Sequence, residues 1–159
     1  MRQQQLVDMR CVSTVQQLRV FVSPTARTFN MYAPDNSLDN NRPLACKYNG
    51  RAGSRSRLAL VDEAGSISIF DTASERDDEG MVPAARWRGH DDLISDFEWR
   101  QGDAQLLTAS ADETCRLWDV EQQALLGVFR GHTQTVRSVS WRHDDANCFV
   151  SSSRDGSIM

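Results

Sequence analysis

Apolar and polar residues alternate in short runs along most of the chain after residue 40, and Gly, Asp, Asn and Ser punctuate those runs. A period of two residues marks a strand with one buried face, and turn residues at the ends mark its limits. The pattern predicts strands over Leu44–Tyr48, Arg57–Val61, Ser66–Phe70 and Ala84–Trp87. A second set is predicted over Ile94–Trp99, Gln105–Ala109, Thr114–Trp118 and Leu125–Phe129. A third begins with Val136–Trp141 and Phe149–Ser152. No stretch carries a helical period with caps. LRVFV reads as one further strand, while the turn-rich MYAPDNSLDNNRP reads as irregular. The polar insert DTASERDDEG and the basic stretch NGRAGSRSR read as exposed loops.

The runs repeat. Gly89-His90 returns as Gly131-His132, 42 residues later. Ile94, Phe97 and Trp99 match Val136, Val139 and Trp141, and Asp112 matches Asp155. The first of these copies closes on Trp118-Asp119. An earlier, degenerate copy carries Phe70-Asp71 at that place, with Asp62 and Ala64 where Ser110 and Asp112 stand later. This period, with Gly-His near the start and Trp-Asp near the end, is that of WD40 repeats, each of which forms one four-stranded propeller blade. The expected fold is therefore all-β: a partial WD40 β-propeller of about two and a half four-stranded antiparallel blades. Residues 1–40 are expected as a partly irregular flank. The propeller part, 41–159, divides into a degenerate blade 41–88, a blade 89–130 and a truncated blade 131–159. Met159 falls two residues short of the third Trp-Asp, so the expectation is a fragment with open edges.

His90, Ser110 and Asp112 are the residue types of a nucleophilic triad. A triad serves one active site, whereas His132, Ser153 and Asp155 repeat the set one blade later. Repetition assigns these residues to the blade itself. A buried chain fits the chemistry. The Trp118 indole donates, a hydroxyl accepts and passes the bond on, the imidazole relays it, and the carboxylate accepts at the end. The predicted structural tetrad is His90, Ser110, Asp112 and Trp118, with His132, Ser153 and Asp155 as its partial copy. The turns near Asp91, Asp92, Glu113, Thr133, Gln134 and Gly156 are expected on one face with the tetrad ends, as candidate partner contacts.

Charge and motif content narrow the function. A formal net charge of −4 argues against a direct nucleic-acid binder. Phosphate-cradling glycine loops are absent, and Cys11, Cys46, Cys115 and Cys148 lack metal-knuckle spacing. Cys115 and Cys148 are read as small hydrophobes in strands, and His143 as a surface residue. No cofactor, metal, small molecule or membrane is expected, and no apolar run approaches the length of a membrane span.

Three longer segments are similar to the denticleless family. They are RPLACKYNG with LALVDEAGSISIFDT, then GHDDLISDFEW with LLTASADETCRLWDVEQQALLGVFRGH, then SVSWRHDDANCFVSSSRDGSIM, covering about residues 42–159. The resemblance implies a non-catalytic, nuclear and also cytoplasmic substrate receptor of the cullin-4 RING ubiquitin ligase. Its implied partners are the ligase's adaptor, replication-licensing and cell-cycle proteins marked for degradation, and indirectly the chromatin-bound sliding clamp. One departure concerns adaptor docking, which in such receptors uses a Trp-Asp-x-Arg box. Here Val120-Glu121 follows Trp118-Asp119, so the Arg is missing. The alternative is a WD40 interaction scaffold in a chromatin or signalling complex.

Overall fold

The computed structural model describes residues 17–20, 27–30, 42–49, 57–71, 83–100, 104–145 and 147–159. These belong to two units. In the first, β1 (Gln17–Val20) pairs antiparallel with β2 (Arg27–Asn30). β1 lies at the start of the strand expected in LRVFV, whereas β2 was not expected. Most of MYAPDNSLDNNRP, of the insert after Asp71 and of NGRAGSRSR lies outside the described residues.

The second unit contains the blades. Blade one is the sheet β3 (Pro43–Tyr48), β4 (Arg57–Asp62), β5 (Ser66–Asp71) and β6 (Ala85–Arg88), in that order. Blade two repeats it with β7 (Ile94–Trp99), β8 (Gln105–Ser110), β9 (Cys115–Asp119) and β10 (Ala124–Phe129). Blade three holds β11 (Val136–Trp141) paired with β12 (Phe149–Ser153). After the next turn Ser151 and Met159 exchange backbone hydrogen bonds of 2.9 and 3.0 Å, which begins a third strand pairing. All named pairings are antiparallel, as expected for strands joined by short turns.

The core lies between blades. Ala59, Val61, Ile67 and Ile69 of blade one pack with Ile94, Phe97, Trp99, Leu106 and Trp118 of blade two. Leu107, Ala109 and Cys115 then pack with Val136, Val139 and Trp141 of blade three. Alternation along β8 sends Leu106 and Leu107 to opposite interfaces, so one strand serves both clusters. Each such side chain contributes about 1.5–3 kcal/mol on burial. Leu125, Leu126 and Phe129 on β10, and Val150 on β12, remain exposed.

Two features recur at fixed places. Each blade's first strand carries a bulge near its start, between Pro43 and Ala45, Ile94 and Asp96, and Val136 and Ser138. The turn after each second strand takes a left-handed residue at one position: Gly65 (φ 79°), Glu113 (φ 67°) and Gly156 (φ 84°). Gly65 is confined twice over. A Cβ there would lie 2.5 Å from the His90 carbonyl oxygen. Its own carbonyl accepts from the amides of Gly89 and His90, at 2.8 and 3.0 Å.

Cys148 corrects the sequence expectation. It is exposed, and it sits in the loop before β12 rather than in a strand. Its thiol bonds to the Asp145 carboxylate at 3.2 Å and its carbonyl accepts from Arg142 N at 2.9 Å, so the residue closes a turn. Cys115 is buried in β9 as expected, and burial, with the Asp112 charge adding to it, pushes its thiol up to about 11. Such a thiol is inert at neutral pH.

Candidate functional site

Blade two builds its hydrogen-bond chain from one side chain on each of four segments. Trp118, on β9, points into the interface with blade one and donates its indole N–H to Thr108 Oγ1 at 3.2 Å. Thr108 Oγ1 lies 2.7 Å from His90 Nε2, and His90 Nδ1 lies 2.8 Å from Asp112 Oδ2. The middle hydroxyl is therefore Thr108, a correction to the expected Ser110. Both residues lie on the same face of β8, but Ser110 is two residues farther along. At about 3.3 Å per residue that moves its hydroxyl roughly 6.6 Å toward the turn, away from Trp118. There it bonds to the Leu93 carbonyl at 2.8 Å and accepts from Asp112 N at 3.1 Å.

Blade three repeats the arrangement and the correction. His132 Nε2 lies 2.9 Å from Ser151 Oγ, and His132 Nδ1 lies 2.9 Å from Asp155 Oδ2. Ser153 instead donates to the Thr135 carbonyl at 2.9 Å and accepts from Asp155 N at 3.2 Å. Among the described residues, blade one shows no such chain. Leu60 and Phe70 stand where Thr108 and Trp118 stand in blade two, and Asp62 Oδ1 alone accepts from Ala64 N and Ser66 N, at 3.0 and 2.8 Å.

The electrostatics fix the proton positions. Desolvation by burial lowers the His90 pKa, outweighing the opposing pull of Asp112. The imidazole is thus neutral at pH 7. Ionised Asp112 can only accept, so Nδ1 carries the proton and Thr108 donates to Nε2. Burial works against ionisation of Asp112. Hydrogen bonds from His90 and Thr114 overcome it and hold the carboxyl well below the usual carboxylate range. For Asp155 the Ser157 hydroxyl leads, with the Ser157 and Thr133 amides and His132 acting the same way against a desolvation penalty. Arg116 lies across the outer end of the chain, 3.0 Å from Asp112 and 2.8 Å from the Gly89 carbonyl.

The Thr–His–Asp order has the polarity of a catalytic relay, but nothing can reach it. Thr108 is 0% exposed, His90 1% and Ser151 5%. What the chain does is hold loops. Asp91 N and Thr133 N bond to Asp112 and Asp155 at 3.4 and 3.0 Å. These bonds bring the exposed residues Asp91, Asp92 and Glu113 together at the Asp112 end of blade two. Thr133, Gln134 and Gly156 gather in the same way at the Asp155 end of blade three. His143 is exposed, and no group of three metal-ligating side chains occurs among the described residues.

The sequence reading missed a second constellation, at the first strands. Asp96 accepts from Lys47 Nζ of blade one at 2.8 Å, and from Ser138 Oγ of blade three at 2.8 Å. It therefore ties three blades together. Burial raises its pKa, but the bonds from Lys47 and Ser138 outweigh this and lower it. Trp99 Nε1 donates to the Lys47 carbonyl at 3.0 Å, and Glu98 accepts from Trp141 N at 2.9 Å. The signal was a charged residue, Asp96, one position before buried Phe97. Its partners lie on other blades, 49 and 42 residues away.

Comparison with known proteins agrees with this architecture. The WD domain, G-beta repeat family matches residues 81–119 and 123–159. Over 117 residues, 74% of the chain, the sequence is 35% identical to the Denticleless protein homolog of Danio rerio and 28% identical to that of Homo sapiens. It is 32% identical over 121 residues to Cell division cycle protein cdt2 of Schizosaccharomyces pombe. The matched parts are 18%, 16% and 25% of those proteins, so the chain spans only a small share of their length. With its blade order, its His–Asp pairs and these relatives, the chain belongs to the denticleless family of WD40-repeat proteins.

Proposed function

We propose that the chain acts in a non-catalytic substrate-recognition subunit of a cullin-4 RING ubiquitin ligase, which brings replication-licensing and cell-cycle proteins to degradation. The observation that carries this reading is the likeness to denticleless proteins across the blades, in fish, human and fission yeast. The geometry supports a binding role. Exposed loops at Asp91, Asp92, Glu113, Thr133 and Gln134 stand on a scaffold fixed by buried hydrogen bonds, an arrangement suited to protein recognition. In this reading the partners are proteins: the ligase's adaptor, its degradation substrates and, indirectly, the chromatin-bound sliding clamp. The place of action is the nucleus.

Affinity purification of the full-length product from cells, with partners identified by mass spectrometry, tests this. Cullin-4 and its large adaptor are the expected partners. Recovery of an unrelated chromatin or signalling complex, with neither ligase subunit present, would contradict it.

A further inference from the structure

Lys47 is the single lysine of the 159 residues; the other 17 of the 18 Lys and Arg residues are arginines. Arginine keeps the positive charge without offering a lysine-type amine, and it is the lysine amine that takes acetyl groups and ubiquitin. The one such amine is also occupied. Lys47 Nζ lies 2.8 Å from Asp96 Oδ1 and 2.6 Å from the Phe97 carbonyl oxygen, and 5.5 Å from the centre of the Phe97 ring. The Lys47 side chain is 42% exposed and Asp96 19%, so reagents can approach the amine while its anchor is mostly covered. Asp96 is fixed from the far side by Ser138 Oγ at 2.8 Å and Val139 N at 3.3 Å.

We infer that this region withholds acceptor amines from acyl transfer, and that Lys47 is its one lysine-modification site, guarded by Asp96 and the Phe97 carbonyl. Transfer from a thioester proceeds through the neutral amine. Its lone pair attacks the carbonyl carbon, the C–N bond forms and the C–S bond breaks. The sulfur leaves as thiolate, and the amine's proton passes to solvent. Two of the donors on Nζ are committed to Asp96 and Phe97, so the amine must leave both before it can attack. Modification would also have a structural effect. An amide at Nζ carries no charge, and it leaves the mostly covered Asp96 carboxylate with neutral donors alone.

The inference deepens the functional reading and rests on it for its purpose. A ligase receptor works beside a ubiquitin thioester, and a surface poor in free amines is a poor target for it. The guard itself is tested without any ligase. The purified chain is treated with sulfo-N-succinimidyl acetate, and site-resolved rates are read by mass spectrometry. Arg137→Lys supplies the reference, because Arg137 is exposed on β11 without a partner among the described residues. Lys47 is expected to acetylate at least about tenfold more slowly than that reference amine, the factor that loss of one charge-assisted hydrogen bond represents. Asp96→Asn is expected to bring Lys47 toward the reference rate, and Lys47→Arg to abolish lysine labelling while keeping the wild-type unfolding temperature. Equal rates for Lys47 and the reference amine would overturn the inference, as would an unchanged Lys47 rate in folded Asp96→Asn. Should Asp96→Asn not fold, the comparison with Arg137→Lys decides alone. Failure to recover ligase subunits from cells would count against the functional reading and leave these rates unaffected.

Discussion

At the turn between its second and third strands, blade one carries Asp62, Ala64 and Gly65 where blade two carries Ser110, Asp112 and Glu113. The backbone conformation is the same. In blade one a single carboxylate takes the amides of Ala64 and Ser66, and the strands behind it carry Leu60 and Phe70 in place of the relay's hydroxyl and indole. In blade two the work is divided. Ser110 holds Asp112 N, and Asp112 holds Thr114 N and His90, which in turn engages Thr108 and Trp118. The blade can therefore form without the relay. What the relay adds is a connection from the interface core, through the strand, to the Gly89–Asp91 loop on the surface.

Thr108→Val should break that connection with the largest effect. It keeps the shape and leaves the Trp118 indole and His90 Nε2 buried without partners, at a cost of about 3 kcal/mol. Ser110→Ala should cost only about 1 kcal/mol, because the Leu93 carbonyl keeps its bond from Ala111 N. Chemical denaturation of both variants checks the order. Equal losses would return Ser110 to the relay.

The glycine of blade one gives the next effect. Gly65→Ala places a Cβ against the His90 carbonyl in left-handed backbone, and about 2 kcal/mol is expected to be lost. Gly156→Ala meets no atom within 4 Å and bears only the backbone cost, about 1 kcal/mol. Thermal unfolding of the pair separates close approach from conformation.

Acid should act on blade two in two windows. The folded His90 pKa lies below the ordinary 6.5, so the unfolded state binds the proton more readily. Stability from this group is full above about 6.5 and declines as pH falls below it. Asp112 is also held below its ordinary value, so its contribution is full above about pH 4 and is lost at lower pH. Unfolding followed from pH 7.5 to 5 should show the first decline, and His90→Gln should diminish it. The smallest effect is a gain. Glu113→Gly relieves a left-handed non-glycine residue and should stabilise by about 0.5 kcal/mol, read as a small rise in Tm.

The first strands of blades two and three were legible because one face of each is buried, and Ile94–Trp99 and Val136–Trp141 were bounded as observed. His90, Asp112 and Trp118 were legible from the repeat. The hydroxyl was not, because Thr108 and Ser110 lie on one face of β8, and in the next blade Ser151 and Ser153 are chemically alike. Only the cross-strand register, with Thr108 opposite Arg116 and diagonal to Trp118, decides between them. Asp96 and Lys47 were illegible for a different reason. Their partners depend on how neighbouring blades pack, and alternation within one strand carries no record of that.

The central claim is the direction of the blade-two relay, from Trp118 through Thr108 and His90 to Asp112. A long-range proton–nitrogen correlation spectrum of the histidine rings tests it directly. Near pH 7, His90 should be neutral with its proton on Nδ1, and its Nε2 should shift on Thr108→Val and not on Ser110→Ala. A proton on Nε2, or a charged ring at that pH, would contradict the account.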